Sequence, residues 1–473
     1  EIGSGLVGSE MCIRDRMEKH SEARAKADNQ QLHRRVDLLL RTGKLLVESL
    51  ADTNRVVRNM KRTAAFLGIA EDKLHINVSF TMLMVNVSDG DYSFTKFQRI
   101  ESHGVNMTAI SAVSKLSWKA LENDYTLDQY EQELEEIRTR KRNYTPWQVA
   151  IGAGFACGGF CIQFGCDWMA FLYASIAAII GMRVRAHCNE SGLNHYMGIA
   201  IAAFVATMIA WASTFLPAEW TSTPWHPLLA CALFIVPGVP LINFVDDMMD
   251  NYIQVGIVRA VNTLLMVSAM AFGIAFAVKI CSIDDFFPTI SMVPHHSYWE
   301  YAIAAAISAM GFSMIFNIPR RLLWVVAIGG IIAVCTRNFV NLGPSTNNIG
   351  LDMGLVIGSF SGAVVVSLIA IKAVHWFHVP NHVLTIPSVI PMIPGVLMYR
   401  MLFGLINVNV QTQVTPLMKA LESGIVSGLV IMCIAIGVAI PNIFGRKYIA
   451  TSKNKRLKQL LEERKAKGKF VEW

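Results

Sequence analysis

Phe234-Ile235-Val236-Pro237-Gly238-Val239-Pro240-Leu241-Ile242-Asn243 interrupts an apolar run long enough to cross a bilayer, and Ile390-Pro391-Met392-Ile393-Pro394-Gly395-Val396-Leu397 interrupts another. The triplet Pro-Gly-Val occurs at both breaks. Proline removes a backbone donor and clashes with the preceding turn, and glycine tolerates unusual dihedrals, so each triplet should break its helix and free main-chain polar groups. Lipid cannot satisfy such groups. Broken helix at membrane depth is tolerated against protein or a watery cavity, and paired breaks in corresponding positions of two halves point to a transport site. A structural kink is the plainer reading of either break alone.

Working outward, the 473 residues are 53% hydrophobic and 16% charged, with a mean hydropathy of +0.40. A soluble chain carries nearer a quarter charged residues. From Trp147 to Phe444 the sequence is almost continuously apolar, and the charges concentrate before Arg142 and after Arg446. This predicts an α-helical polytopic membrane protein with an N-terminal α+β domain and a basic tail. The net charge of +7 then bears on orientation rather than on nucleic acid, for which there is no aromatic-basic interleaving.

Ten spans are expected, each near the roughly 20 residues that a bilayer needs. The first five are Trp147–Gly165, Trp168–Val184, His195–Leu216, His226–Val245 and Gly256–Ile280; the second five are Trp299–Phe316, Arg321–Val340, Gly350–Ala373, Leu384–Leu405 and Leu421–Phe444. Arg183, Arg185, Arg259, Arg320, Arg321 and Lys372 fall in connections on one side, while Pro217–Trp225 and Ser282–Tyr298 on the other hold no Lys or Arg. Arg337, Arg400 and Lys419 are exceptions. Both termini are therefore expected in the cytoplasm. Five is odd, so the second half begins on the opposite side and the halves form an inverted repeat. Pro237 lies 11 residues into its span and Pro394 lies 10 into its own. At 1.5 Å per residue both sit about 15 Å deep, and the breaks should meet near the midplane of a roughly 30 Å core.

The expected organisation is a leader over residues 1–16, an N-terminal cytoplasmic domain over 17–143, five-helix repeats over 144–281 and 299–445 joined by a non-cytoplasmic linker over 282–298, and a tail over 446–473. Residues 1–16 resemble translated linker sequence, with Met17 read as the start. In the N-terminal domain, Val36, Leu39, Leu40, Gly43, Leu46, Val47 and Leu50 recur at helical spacing, and a second helix runs from Asn54 to Leu67, closed by Gly68. Leu74–Val87 and Tyr92–Glu101 flank the turn Ser88-Asp89-Gly90-Asp91 as a hairpin. Helices follow at Asn106–Glu122 and Leu127–Arg142. His33, His75 and His103 are isolated, and no nucleophile, base and orienting acid share a motif. The chain is therefore not expected to be an enzyme.

A small zwitterion or carboxylate can be held at a broken helix, because the second half begins with unpaired N–H groups and the positive end of its dipole. Pro237, Gly238, Val239, Pro240, Asn243 and Asn262 from the first half, with Pro394, Gly395 and Arg400 from the second, are the candidate substrate-binding residues. Asp246, Asp247 and Arg259 are candidates for gating or proton coupling. The alternative for that acid-arginine group is a solvated interfacial pair worth under about 1 kcal/mol. His375, His378 and His382, and His295-His296, read as interfacial histidines because no Cys or paired acid completes a metal set. The nine cysteines form no CxxC motif, so neither metal, cofactor nor disulfide is expected. The tail Lys453–Lys467, with leucines at 457, 460 and 461, is expected to lie on an anionic leaflet.

Val236-Pro237-Gly238-Val239-Pro240-Leu241-Ile242-Asn243, then Asp247, Tyr252, Gly256 and Arg259, resemble the signature of the bacterial threonine/serine exporter (ThrE-like) family. Arg41, Gly43, Leu46, the stretch Ser49 to Val56 and Leu67-Gly68 are similar to that family's opening helices, with Leu50-Ala51-Asp52 departing from its small-residue pattern. Ile393-Pro394-Gly395 and Tyr399-Arg400 are similar to the partner half, which is a separate chain in some members. The resemblance covers residues from about Gln31 to Phe444. It implies an inner-membrane exporter of threonine and serine driven by the proton-motive force; related split systems are associated with small dicarboxylates. The expected partners are that amino acid or carboxylate, protons as coupling ion and the bilayer, and a homo-oligomer is compatible with these features. A membrane-tethered sensor or hydrolase acting through the N-terminal domain is the reading from a different class. No GxxxxGK[ST] loop is present, which argues against ATP-driven transport by this chain alone.

Overall fold

The computed structural model describes residues 30–89, 92–217, 219–282, 296–344, 349–406 and 414–466. The expected leader and His295 lie outside these residues. The N-terminal domain begins with helix α1 (30–48), followed by α2 (Thr53–Phe66), strands β1 (Leu74–Val78), β2 (Met82–Asp89) and β3 (Tyr92–Arg99), and helices α3 (Met107–Glu122) and α4 (Leu127–Thr139). The predicted first strand, Leu74–Val87, is in fact two strands. Ser79 turns the chain by accepting at its hydroxyl from the Met82 N–H at 3.0 Å, so the sheet has three antiparallel strands in the order β1-β2-β3. Leu83, Val85 and Val87 alternate inward from β2, as period-2 apolar residues do in a half-buried strand. Gly43 lets α1 approach this sheet, because a Cβ there would lie 2.5 Å from both Leu83 Cδ2 and Met60 Sδ. Gly68 ends α2 at a φ of 80°, a left-handed position that favours glycine. Tyr130 of α4 is wholly buried, its hydroxyl between Thr42 at 3.0 Å and Thr63 at 3.1 Å.

The apolar region comprises α5 (Pro146–Gln163), α6 (Trp168–Glu190), α7 (His195–Trp211), the short α8 (Pro227–Ala230), α9 (Gly238–Met249), α10 (Ile253–Ile280), α11 (Tyr298–Ile315), α12 (Leu323–Asn341), α13 (Leu355–Phe377), α14 (Asn381–Val389), α15 (Gly395–Ile406) and α16 (Val414–Ala466). Among the described residues, six helices are long and apolar enough to cross a membrane, and eight spans result if each of two bent pairs is counted as one. The other two expected spans are α5 and α11. Each is an 18-residue helix in which glycine, alanine and serine hold many of the positions. Those small residues are what lets them pack: a Cβ on Gly311 would lie 2.4 Å from the Gly152 carbonyl oxygen, and one on Gly159 would lie 2.6 Å from that of Ala304. Close backbone approach through small residues is the usual means of helix association in lipid. Ile257, Val261, Leu264, Phe272 and Phe276 of α10 are exposed, as a lipid-facing stripe requires.

Capping sets the ends of the first span on the domain side. Thr145 and Gln148 form a capping box with Pro146 at the first turn of α5. Gln148 also accepts from Arg320 at 3.1 Å, and Asn143 N–H donates to Asn317 Oδ1 at 2.8 Å, so the start of α5 and the end of α11 meet at the N-terminal domain. These two helices therefore run antiparallel.

The tail differs from the expectation of a leaflet-bound helix. α16 is continuous over 53 residues, and its last turns lie on the N-terminal domain. Arg456 pairs with Glu122 at 2.5 Å and Arg464 with Asp124 at 3.4 Å, and Leu457, Leu460 and Leu461 pack against the core. A basic, leucine-bearing face suits an acidic protein surface as well as an acidic lipid surface, and here the protein surface is covalently close. Replacing the three leucines with serine should destabilise the N-terminal domain by roughly 1 kcal/mol per side chain, seen as earlier thermal unfolding. An unchanged transition would mean that the tail is undocked.

Candidate functional site

Each bent pair is a half-helix, a break and a second half-helix. Pro227–Ile235 and Gly238–Met249 meet at 59°, and Asn381–Met392 and Gly395–Leu402 meet at 62°. The same hydrogen bonds build both breaks. Val236 N–H donates to Leu233 O at 3.1 Å, Gly238 N–H to Val236 O at 2.8 Å and Leu241 N–H to Pro237 O at 2.9 Å. In the second break Ile393 donates to Ile390, Gly395 to Ile393 and Met398 to Pro394, at 2.9, 2.9 and 3.2 Å. With Pro237 at φ −79° and ψ 64°, the first break is an inverse γ-turn centred on the proline. This modifies the expectation of free donors. The turn uses the Gly238 N–H and Pro240 has none, so Val239 keeps the open N–H of that first turn among the described residues.

The breaks touch each other. A Cβ on Gly238 would lie 2.2 Å from Ile390 Cδ1 and 3.0 Å from Ile393 Cδ1, and one on Gly395 would lie 2.7 Å from Leu233 Cδ2 and 3.1 Å from Val236 Cγ2. The space between them is a void of about 10 Å³, lined by Phe160, Phe312 and the apolar residues of both breaks. Nothing larger than one water fits there. Gly395 thus lies in a closed apolar contact between the two breaks, beside the half-buried Pro394.

The open space lies to one side, between the first break and the N-terminal domain. A cavity of about 1200 Å³ runs from the Lys141–Pro146 and Glu101–Val105 segments to Pro237, Gly238, Val239 and Pro240. Arg185, Arg259, Asn262 and Tyr196 also line it. Tyr196 fixes Asn262 by donating to its Oδ1 at 2.7 Å. His103 stacks on Phe80 with ring centroids 3.9 Å apart, and its Nε2 is 2.8 Å from the Phe80 carbonyl; burial pushes its pKa down. Arg400, on α15 of the second bent pair, is half-buried and is not among the cavity-lining residues.

Asn243, Asp246, Asp247 and Arg259 come together, with a partner that the sequence does not announce. The loop from Leu50 to Asn54 of the N-terminal domain seals them. Asn243 Nδ2 donates to Leu50 O at 2.9 Å and Arg259 Nη2 to Ala51 O at 2.8 Å. Thr53 N–H donates to Asp247 Oδ1 at 2.8 Å, and Asn54 Nδ2 to Asp250 Oδ2 at 2.6 Å. Arg259 Nη1 lies 3.2 Å from Asp247 Oδ2, with both side chains at most 2% exposed. The solvated-pair alternative is therefore replaced by a buried ion pair. Leu50 turns into the loop at φ 60°. Asp52 caps α2 by accepting from the Arg55 N–H at 2.8 Å. Burial raises the Asp52 pKa, but Arg55, His382 and Arg58 outweigh it and hold the carboxyl well below its usual range. Asn243 Oδ1, Arg259 Nε and Thr263 Oγ1 are buried without a hydrogen-bond partner among the described residues, and such groups are commonly met by water or a polar ligand.

Residues 37–281 match the ThrE family model, and residues 301–444 match a second model, "Threonine/Serine exporter, ThrE". The chain belongs to the ThrE family. Both halves of the ThrE system thus lie in tandem in one multi-pass membrane chain, and ThrE membership points to a transporter rather than an enzyme. Over 243 residues this ThrE-family chain is 25% identical to the "Probable succinate transporter subunit YjjP" of Escherichia coli, covering 51% of the chain and 93% of that protein. Over 199 residues it is 26% identical to the protein of the same description from Klebsiella aerogenes, covering 42% of the chain and 76% of the relative. No solved structure matches the ThrE-family chain.

Proposed function

We propose that the chain is a secondary exporter of small carboxylate-bearing metabolites, threonine and serine first, across the bacterial inner membrane, coupled to the proton-motive force. Both termini face the cytoplasm in this reading, and the two halves are an inverted repeat of five helices each. The observation that carries it is the cavity of about 1200 Å³ that ends on the Pro237–Pro240 break with Arg259 in its wall. It has room for a small solute and offers a guanidinium, the Val239 N–H and the dipole end of α9 to a carboxylate. The N-terminal domain covers this entrance, so the cavity is the cytoplasmic vestibule. The closed contact between the breaks is then the barrier to the other side.

Two further observations support the inverted repeat. The two breaks share one hydrogen-bond pattern, and they run in opposite directions relative to the N-terminal domain. Asp247, at the end of the first pair, meets Thr53, whereas His382, at the start of the second, meets Asp52.

A dicarboxylate is the second reading, favoured by charge. Lys141, Arg142, Arg185, Arg259 and Arg320 line the cavity against Glu101 and Glu190, and a doubly charged anion suits that excess. The relatives' description as succinate transporter subunits agrees with this. Proteoliposomes containing the full chain separate the readings. Labelled threonine should leave vesicles under a proton gradient, and competition by unlabelled succinate that exceeds competition by serine would assign the dicarboxylate. Transport of neither solute, with the protein correctly inserted, would sink the proposal.

A further inference from the structure

His382 lies in α14, 6% exposed, with Nδ1 3.6 Å from Asp52 Oδ2 and Nε2 3.9 Å from Asp246 Oδ2. One ligand atom from each of these residues falls within 4.8 Å of the others, and the three residues belong to three bodies: the N-terminal domain, the first bent pair and the second. A neutral imidazole has one N–H and one lone pair. Placed between two carboxylates, it would turn that lone pair toward an anionic oxygen. An imidazolium presents an N–H to each.

The surrounding charges favour the same state. The α2 end supplies Asp52, Arg55 and Arg58, α9 supplies Asp246, Asp247 and Asp250, and α10 supplies Arg259. Among the described residues these elements bring four carboxylates and three guanidiniums to the site, and the two carboxylates nearest the imidazole, Asp52 and Asp246, favour its cationic form. On the neighbouring α13, Lys372 is exposed and turned to solvent. Asn381 and Asn442, beside His382, bond each other and carry no charge. A dication fits the group poorly, because Asp52 Oδ2 already accepts from Arg55 Nε at 2.8 Å, and that guanidinium would stand beside the metal.

We propose that His382 binds a proton between Asp52 and Asp246, and that this proton holds the N-terminal domain closed over the first break. The proton comes from hydronium and returns to water: an O–H bond breaks as the imidazole N–H bond forms, and the reverse on release. This deepens the proposed transport reading by naming a proton site behind the loop that borders the vestibule. Its consequence is directional: with His382 charged the Leu50–Asn54 loop stays seated on Asn243, Asp247 and Arg259, and loss of the proton leaves like charges facing one another and loosens the seat.

Hydrogen exchange on the full chain in nanodiscs tests this without any transport assay, so its failure is separable from failure of the exporter reading. The Thr53 amide, which donates to Asp247, is the reporter. After correction for intrinsic exchange, its protection should be high near pH 5 and fall at least about tenfold by about pH 9, across the range in which histidines titrate. His382→Gln should remove that pH dependence, and His382→Lys, which keeps its charge, should retain protection at the upper pH. A wild-type midpoint that survives in His382→Gln would overturn the proposal. So would protection that follows added zinc and is erased by a chelator at constant pH, which would make the site a metal site. If His382→Gln does not fold, the wild-type profile together with His382→Lys still decides the matter.

Discussion

Gly238→Leu and Gly395→Leu should each abolish transport while leaving insertion intact. The first β-carbon alone would sit 2.2 Å from Ile390 Cδ1 or 2.7 Å from Leu233 Cδ2, and leucine adds three further carbons to a space of about 10 Å³. The half-helices must separate to admit them, and the apolar seal between the breaks is lost. Gly238→Ala is the milder version. It should cost about 1–3 kcal/mol, as overpacking of a tight core does. Because the nearest obstruction is a flexible methyl group of Ile390, Ile390→Ala should restore much of the stability of Gly238→Ala. That non-additivity, read from thermal unfolding, is the signature of a contact between breaks 152 residues apart in sequence, from 238 to 390. Normal threonine and succinate flux through correctly inserted Gly238→Leu would show that the contact is no barrier.

The breaks were legible because proline and glycine act locally, and the two Pro-Gly-Val triplets share one pattern of turn hydrogen bonds. What the sequence did not reveal was which groups the breaks would face. The closed contact depends on Leu233, Val236, Ile390 and Ile393 meeting across the two halves, and their apolar character is indistinguishable from that of the residues facing lipid. The docking loop was hidden for a different reason. Leu50 and Ala51 contribute carbonyl oxygens and Thr53 contributes an N–H, groups that every such residue possesses, so the side-chain pattern marks nothing. Asn243, Asp247 and Arg259 stood out as polar residues beside a break. Their partners lie 193, 194 and 208 residues away. Asp52 was visible only as a departure from the family's small-residue pattern, and His382 only as one of three spaced histidines.

Function and docking are linked by this sharing of residues. The cavity and the loop both use Arg259: the residue stands in the cavity wall, and its Nη2 donates to the Ala51 carbonyl. A carboxylate that takes this guanidinium competes with the loop for it. In the proposed exporter, substrate entry and opening of the N-terminal domain would thereby be coupled, as a mouth that closes before the other side opens requires.

Removing one member of the Asp247 and Arg259 pair should be among the most damaging single changes outside the breaks. Both side chains are at most 2% exposed, and breaking a buried pair typically costs about 3–5 kcal/mol because the survivor is left charged and uncompensated. Arg259→Ala strands Asp247 and the Ala51 carbonyl together, so both N-terminal docking and flux should be lost. Asp247→Asn strands the guanidinium but keeps an oxygen for the Thr53 N–H. The informative variant is the double one. Asp247→Asn with Arg259→Gln removes both charges while retaining an acceptor for Thr53 and a donor for Ala51, so it should dock better than either single variant. Reversal of the pair, Asp247→Arg with Arg259→Asp, conserves the charges but turns a donor toward the Thr53 N–H and an acceptor toward the Ala51 carbonyl. It should fail. Rescue by reversal would mean that Coulomb attraction alone holds the mouth closed; rescue by the neutral pair would mean that the hydrogen bonds to the loop do, with the charges kept for the solute that enters through it.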